Sequence, residues 1–264
     1  MNTMNSIGEQ LRDWRQRRRL SQLDLALDAE ISTRHLSFLE TGRAQPSRDM
    51  VLRLAEELDV PLRERNAMLL AAGFAPVFVE RGYDDPGLAE ARAAIETLIS
   101  AHEPFPALAV DRHWNLVTAN AAGRALMQGV AAHLLTPPIN VLRLSLHPEG
   151  AAPRIENLAE WKAHLLHRLR KQFEASADPA LLELLTELRG YPAPPPVEPN
   201  PNAIAVPLVV SSPRGRMSFL SSTLLFGAPN EVTLSELAVE IFLPADAATV
   251  ERLRASSAPQ SPRR

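Results

Sequence analysis

What most constrains this chain is a dense run of helix start and stop signals within its first 73 residues. Ser21, Ser32 and Ser47 each stand where an N-cap hydroxyl would accept a free backbone N–H, and Pro61 suits a first helical turn. Gly42 and Gly73 stand where a chain leaving a helix turns left-handed. Ile7, Leu11 and Trp14, at i, i+4 and i+7, lay one apolar stripe along a first helix. Leu23, Leu25, Ala26 and Leu27 follow Ser21, and Val51, Leu54, Ala55 and Leu58 follow Ser47. Five short helices result, none able to bury its apolar face alone, and an all-α domain over residues 1–73 is expected.

The texture changes downstream. Residues 75–86 lack helical period and read as a linker, and Ala89 to Ala101 as a connector helix, so that 74–102 joins two domains. Pro106 to Asp111 and Trp114 to Asn120 read as strands around a turn at Arg112 and His113, followed by a short helix to Gly129. Leu158 to Ala175 is amphipathic, and Asp178-Pro179 starts a helix that ends at Gly190. A Pro-rich loop spans 192–201. Ala203 to Ser211 and Met217 to Phe226 flank a hairpin signal at 212–215. Leu237 to Leu243 is a last strand and Ala247 to Leu253 a last helix. The second domain thus covers 103–254, with a disordered tail over 255–264. The whole is an α+β multidomain chain.

Composition narrows the chemistry. At 264 residues the chain suits two domains, and 45% hydrophobic residues are enough for two cores. No apolar run approaches a bilayer span, and the first twenty residues carry no signal-peptide pattern, so a cytoplasmic protein without membrane contact is expected. With no cysteine there is no disulfide, thiolate nucleophile or Cys-type zinc site. The net charge of −3 does not by itself advertise nucleic-acid binding. Residues 1–72 hold 11 basic and 11 acidic side chains, but Arg12, Arg15, Arg17, Arg18 and Arg19 cluster, which permits a local positive face.

The stretch Ser21-Gln22-Leu23-Asp24-Leu25-Ala26, Ile31-Ser32, Leu36 to Arg43 and Pro46-Ser47 resembles the helix-turn-helix of phage-repressor-like (XRE family) regulators. The mechanics are plain in the residues: two helices meet at a tight turn, and the second can lie in a major groove. Leu36 and Leu39 point inward, leaving Thr33, Arg34, Ser37 and Phe38 on the outer face. Arg34 is suited to guanine O6/N7 and Phe38 to a thymine methyl. Ser32 opens the helix. The resemblance implies that Gln22 caps the preceding helix near a phosphate; Arg43 and Arg48 suit further phosphate contacts. Double-stranded DNA and a homodimer on a palindromic site follow as the expected partners. The resemblance departs at Glu30, where glycine is usual, a cost if the backbone there is left-handed.

Residues 107–122 look like the opening hairpin and helix of a PAS-like α/β sensor domain. Asn140 to Arg143, His147-Pro148, Trp161, Leu169-Arg170 and Asp178-Pro179 resemble the ligand-binding domain of MmyB-like regulators. That resemblance implies a sheet with helices on one face, around an apolar cavity for a fatty-acyl or similar small molecule. Trp114, Leu126, Met127, Leu142, Trp161, Leu165 and Phe219 are large apolar candidates for its lining, and Asn120, Arg143 and His164 candidates for polar contact at its mouth. His164 and His167 share a helix face but lack a carboxylate pattern, so no metal or other cofactor is expected. No catalytic serine elbow or phosphate loop is present, which argues against an enzyme. An antitoxin-like regulator that binds DNA and a protein partner, without a small molecule, is the alternative reading.

Overall fold

The computed structural model describes residues 5–195, 205–213, 215–227 and 230–257. The chain divides into two units, one made of the described residues of 1–82, 174–177 and 229–235, the other of the remainder. No helix among the described residues is long and apolar enough to cross a membrane.

The first unit opens with five helices: α1 (Ile7–Arg17), α2 (Gln22–Asp28), α3 (Thr33–Glu40), α4 (Arg48–Glu57) and α5 (Leu62–Ala71). The hydroxyls of Ser6, Ser21, Ser32 and Ser47 accept the N–H three residues on, which fixes where α1 to α4 begin. Their ends share one device. After α1 to α5 the chain places Arg19, Glu30, Gly42, Asp59 and Gly73 in the left-handed region, at φ 59°, 54°, 71°, 46° and 84°. Each of these N–H groups, and the next, bonds back to a carbonyl of the last turn, as Glu30 to Leu27 and Ile31 to Ala26. Five tight stops turn short helices around a single core whose centre is Leu11, Leu25, Leu36, Leu39, Leu54, Leu58 and Met68, all fully buried. Leu23 and Leu27, expected beside Leu25, are 57% and 66% exposed because a seven-residue helix has only one inward face. A β-carbon on Gly8 would stand 2.6 Å from the Leu39 carbonyl oxygen, so α1 can cross the end of α3 only because residue 8 is glycine.

Part of the expected linker is pinned down. Asn66 accepts the N–H groups of Val77 and Phe78 and donates to the Phe78 carbonyl. Val79 pairs with Glu231, and Glu231 also accepts the Arg81 N–H. A single-turn α11 (Val232–Ser235), not foreseen from sequence, follows.

The second unit is built on a five-stranded antiparallel sheet in the order β2-β1-β5-β4-β3. Its strands are β1 (Ala107–Val110), β2 (Leu116–Ala119), β3 (Leu208–Ser212), β4 (Gly215–Leu225) and β5 (Ala238–Pro244). The helices are α6 (Ala89–Ala101), α7 (Ala121–Leu126), α8 (Val141–Leu146), α9 (Leu158–Ser176, its last three residues grouped with the first unit), α10 (Pro179–Gly190) and α12 (Ala247–Ser257). This is the PAS-like arrangement, and the chain as a whole is α+β. Three expectations change. Trp114 belongs to the turn, not to β2, with φ 67°. The Asp111 carboxylate draws that turn together by accepting the N–H groups of His113 and Asn115. Helices occupy both faces: Glu240 and Val239 point to opposite sides of β5, and Val239 shares a groove with Ile95 and Leu98 of α6. Finally, α12 continues to Ser257, three residues into the expected tail; 258–264, like 196–204 of the Pro-rich loop and the start of the strand expected from Ala203, lies outside the described residues.

Candidate nucleic-acid interface and ligand cavity

α2 and α3 meet across residues 29–32, and the apolar side of α3, Leu36 and Leu39, is buried. Arg34 stands exposed on the other side, with Thr33, Ser37 and Phe38 half-buried. The Arg34 guanidinium lies 5.3 Å from the centre of the Phe38 ring, and that of Arg43 6.0 Å. Phe38 therefore carries two cations over an exposed rim, and each keeps donors for bases or phosphates. Arg43 is placed by its own N–H on the Phe38 carbonyl at 2.8 Å, and Arg48 is the exposed first residue of α4, after the Ser47 cap.

Gln22 needs a correction. Ser21, not Gln22, caps α2, and the Gln22 amide donates to the Glu40 carboxylate at 2.8 Å. Glu40 closes α3 with a fully buried side chain, and Arg15 grips it with two bonds, Nε to Oε1 at 2.6 Å and Nη2 to Oε2 at 2.9 Å. Burial would by itself push this carboxyl up. Hydrogen bonds from Arg15 and Gln22, with the charges of Arg15 and Arg12, outweigh it and hold Glu40 below its ordinary range. Two of the five arginines of the basic run thus have structural roles: Arg15 holds Glu40, and Arg18 donates to the carbonyls of Leu58 and Asp59 at 2.7 Å each.

In the second unit a cavity of about 130 Å³ lies between the sheet and helices α7, α8 and α9. Leu208 and Val210 of β3 and Glu240 and Phe242 of β5 alternate onto this face, and Ser211 and Ser212 at the end of β3 complete the edge of the wall. Six of the ten expected residues line it: Trp114, Leu126, Met127, Leu142, Trp161 and Leu165. The other four lie elsewhere. Asn120 is buried as the cap of α7: its Oδ1 accepts from Ala107 and Gly123, and its Nδ2 donates to the carbonyls of Ile99 and Phe105. Arg143 is committed to Glu187, with Nη2 to Oε2 at 2.7 Å, tying α8 to α10. His164 stacks on Trp161 beside the wall, where burial, then Arg168, lowers its pKa. Phe219 is wholly buried in the core against Phe242.

Sequence reasoning missed the polar part of the wall. Arg168 follows Trp161 by seven residues on one helix face, a spacing that could have found it. Glu240 interrupts the apolar run Ala238, Val239, Ile241, a visible anomaly. Arg154, in a short turn between α8 and α9, carries no local signal. Among the described residues, His133, His147 and Glu149 bring possible cation-binding atoms within 4.8 Å of one another. His147 Nδ1, however, already accepts the Glu149 N–H.

A basic, aromatic-backed helix face on one unit and an apolar cavity on the other define a DNA-binding regulator with a sensing domain. Comparison with known families agrees: residues 91–255, more than half the chain, match the MmyB-like transcription regulator ligand binding domain, and residues 11–65 match a helix-turn-helix family. The chain belongs to the MmyB-like transcription regulators. No curated protein matches it.

Proposed function

We propose that this regulator binds a specific operator as a homodimer through the outer face of α3, and that a small, largely apolar molecule in the second domain sets its affinity for that operator. The observation that carries the reading is the 130 Å³ cavity, walled by two tryptophans and a majority of aliphatic side chains. Natural cores are filled to near-crystalline density, so a void of this size lined by large apolar groups is better explained by an occupant than by poor packing. The α3 face supplies the output: Arg34, Phe38, Ser37 and Thr33 toward bases, Arg43 and Arg48 toward phosphates. Gln22 contributes by ordering α3 through Glu40.

Native mass spectrometry of the chain purified from its host, followed by operator titrations before and after stripping the bound molecule, tests the sensing half. A co-purified small molecule whose removal shifts operator affinity at least fivefold is the expected result. Identical affinities for the stripped and loaded protein would contradict it, since a ligand acts on an equilibrium only through differential binding.

A further inference from the structure

Three charged side chains stand in the cavity wall, and they do not balance. Arg168 and Glu240 satisfy one another through bonds of 2.7 and 3.1 Å. The Thr223 hydroxyl closes that cluster at 2.7 Å from each, and the Arg168 guanidinium lies over the Trp114 ring at 4.9 Å. The pair is neutral as a unit, and its donors and acceptors are spent on each other. Arg154 is different. Its Nη2 donates to the Leu126 carbonyl at 2.9 Å, and among the described residues no carboxylate pairs with it. The bridge between Ile155 and Val210 sets Arg154 opposite Ser211, beside Ser212. The Ser211 hydroxyl donates to the Glu156 carboxylate, itself paired with Arg216, and the Ser212 hydroxyl to the Gly215 carbonyl at 2.9 Å, so neither neutralises the cation in this mostly apolar wall.

A half-buried guanidinium facing an apolar cavity without a counter-charge is costly, and a ligand that brings one carboxylate relieves that cost with a charge-assisted, two-pronged bond. Size narrows the class further. The cavity's 130 Å³ is close to the ~150 Å³ of an engineered protein cavity that takes up benzene. We propose that the cavity takes a compact apolar monoanion, an aryl or short branched carboxylate, with the acid group on Arg154 and the apolar body against Trp114, Trp161 and Phe242. This rests on the reading of the second domain as a sensor. It separates the ligand from the long fatty-acyl chain that the family resemblance suggests, because a space of about 130 Å³ matches a compact body better than a long chain.

The test is calorimetric titration of the full chain with 3-phenylpropanoate, its neutral counterpart 3-phenylpropanamide, and tetradecanoate. The expected result is at least tenfold tighter binding of the compact acid than of either of the others. Arg154→Gln should bring the acid and the amide within twofold of each other, and Arg154→Lys, which keeps the charge, should restore part of the preference. Equal affinity for acid and amide in the unaltered chain, an undiminished preference in Arg154→Gln, or tighter binding of tetradecanoate would each overturn the proposal. If none of the three probes binds but a co-purified molecule shifts operator affinity, the monoanion assignment fails while the sensing role stands.

Discussion

At the scale of single residues, the proposed base readout by the outer face of α3 depends on Arg34, whose guanidinium is held over Phe38. Arg34→Ala should cost about 1–3 kcal/mol of operator binding and relax specificity at one position, measurable by competition with single-base operator variants. An even loss across all variants would reassign Arg34 to the phosphates. Glu30 shows a residue acting against local preference. A left-handed non-glycine residue costs on the order of 1–2 kcal/mol, while glycine adds entropy to the unfolded chain. Glu30→Gly should therefore stabilise the first unit by up to about 1 kcal/mol, seen as a raised thermal midpoint. Gly42 and Gly73 announced their stops in the sequence. Glu30 did so only through the family resemblance, and Arg19 and Asp59 not at all, because neither is glycine, which takes a left-handed turn without steric cost.

At the scale of elements, Glu40 joins α1, α2 and α3 through Arg15 and Gln22, a contact between residues as far as 25 apart that no local pattern reveals. Because its folded pKa lies below the ordinary 4.5, its contribution is complete above that value and is lost as pH falls through the lowered one. Protection of the α1 to α3 amides against exchange, taken relative to the intrinsic rate at each pH, should fall on acidification below about pH 4.5 in the unaltered chain. Glu40→Gln, which leaves Arg15 buried without its partner, should cost about 3–5 kcal/mol at neutral pH and flatten that dependence. Asn120 plays the corresponding part in the second unit, where four bonds hold the end of α6, β1 and the start of α7 together. Asn120→Ala should cost about 2–4 kcal/mol by stranding buried backbone groups, checked by chemical denaturation. The helices here were legible where caps were strong: Asp178-Pro179 and Gly190 bound α10 as expected. The cavity was legible only for its large apolar groups. Asn120 and Arg143 carry the right chemistry for a pocket, but long-range partners claim them first, whereas Arg154 reaches the wall only through strand pairing that sequence spacing does not show.

At the scale of the whole molecule, a net charge of −3 coexists with exposed arginines at α3 because the one acid of that helix, Glu40, is buried and paired with Arg15. Specific recognition on such a chain rests on a few contacts rather than on a broad positive field, so binding to unrelated DNA should be weak. The most direct measurement is fluorescence anisotropy of the full chain with a duplex from its own promoter region and with a scrambled duplex, at two moderate salt concentrations. The account predicts at least a hundredfold preference for the promoter duplex, with affinity for both falling as salt rises. Equal affinities for the two duplexes would contradict it.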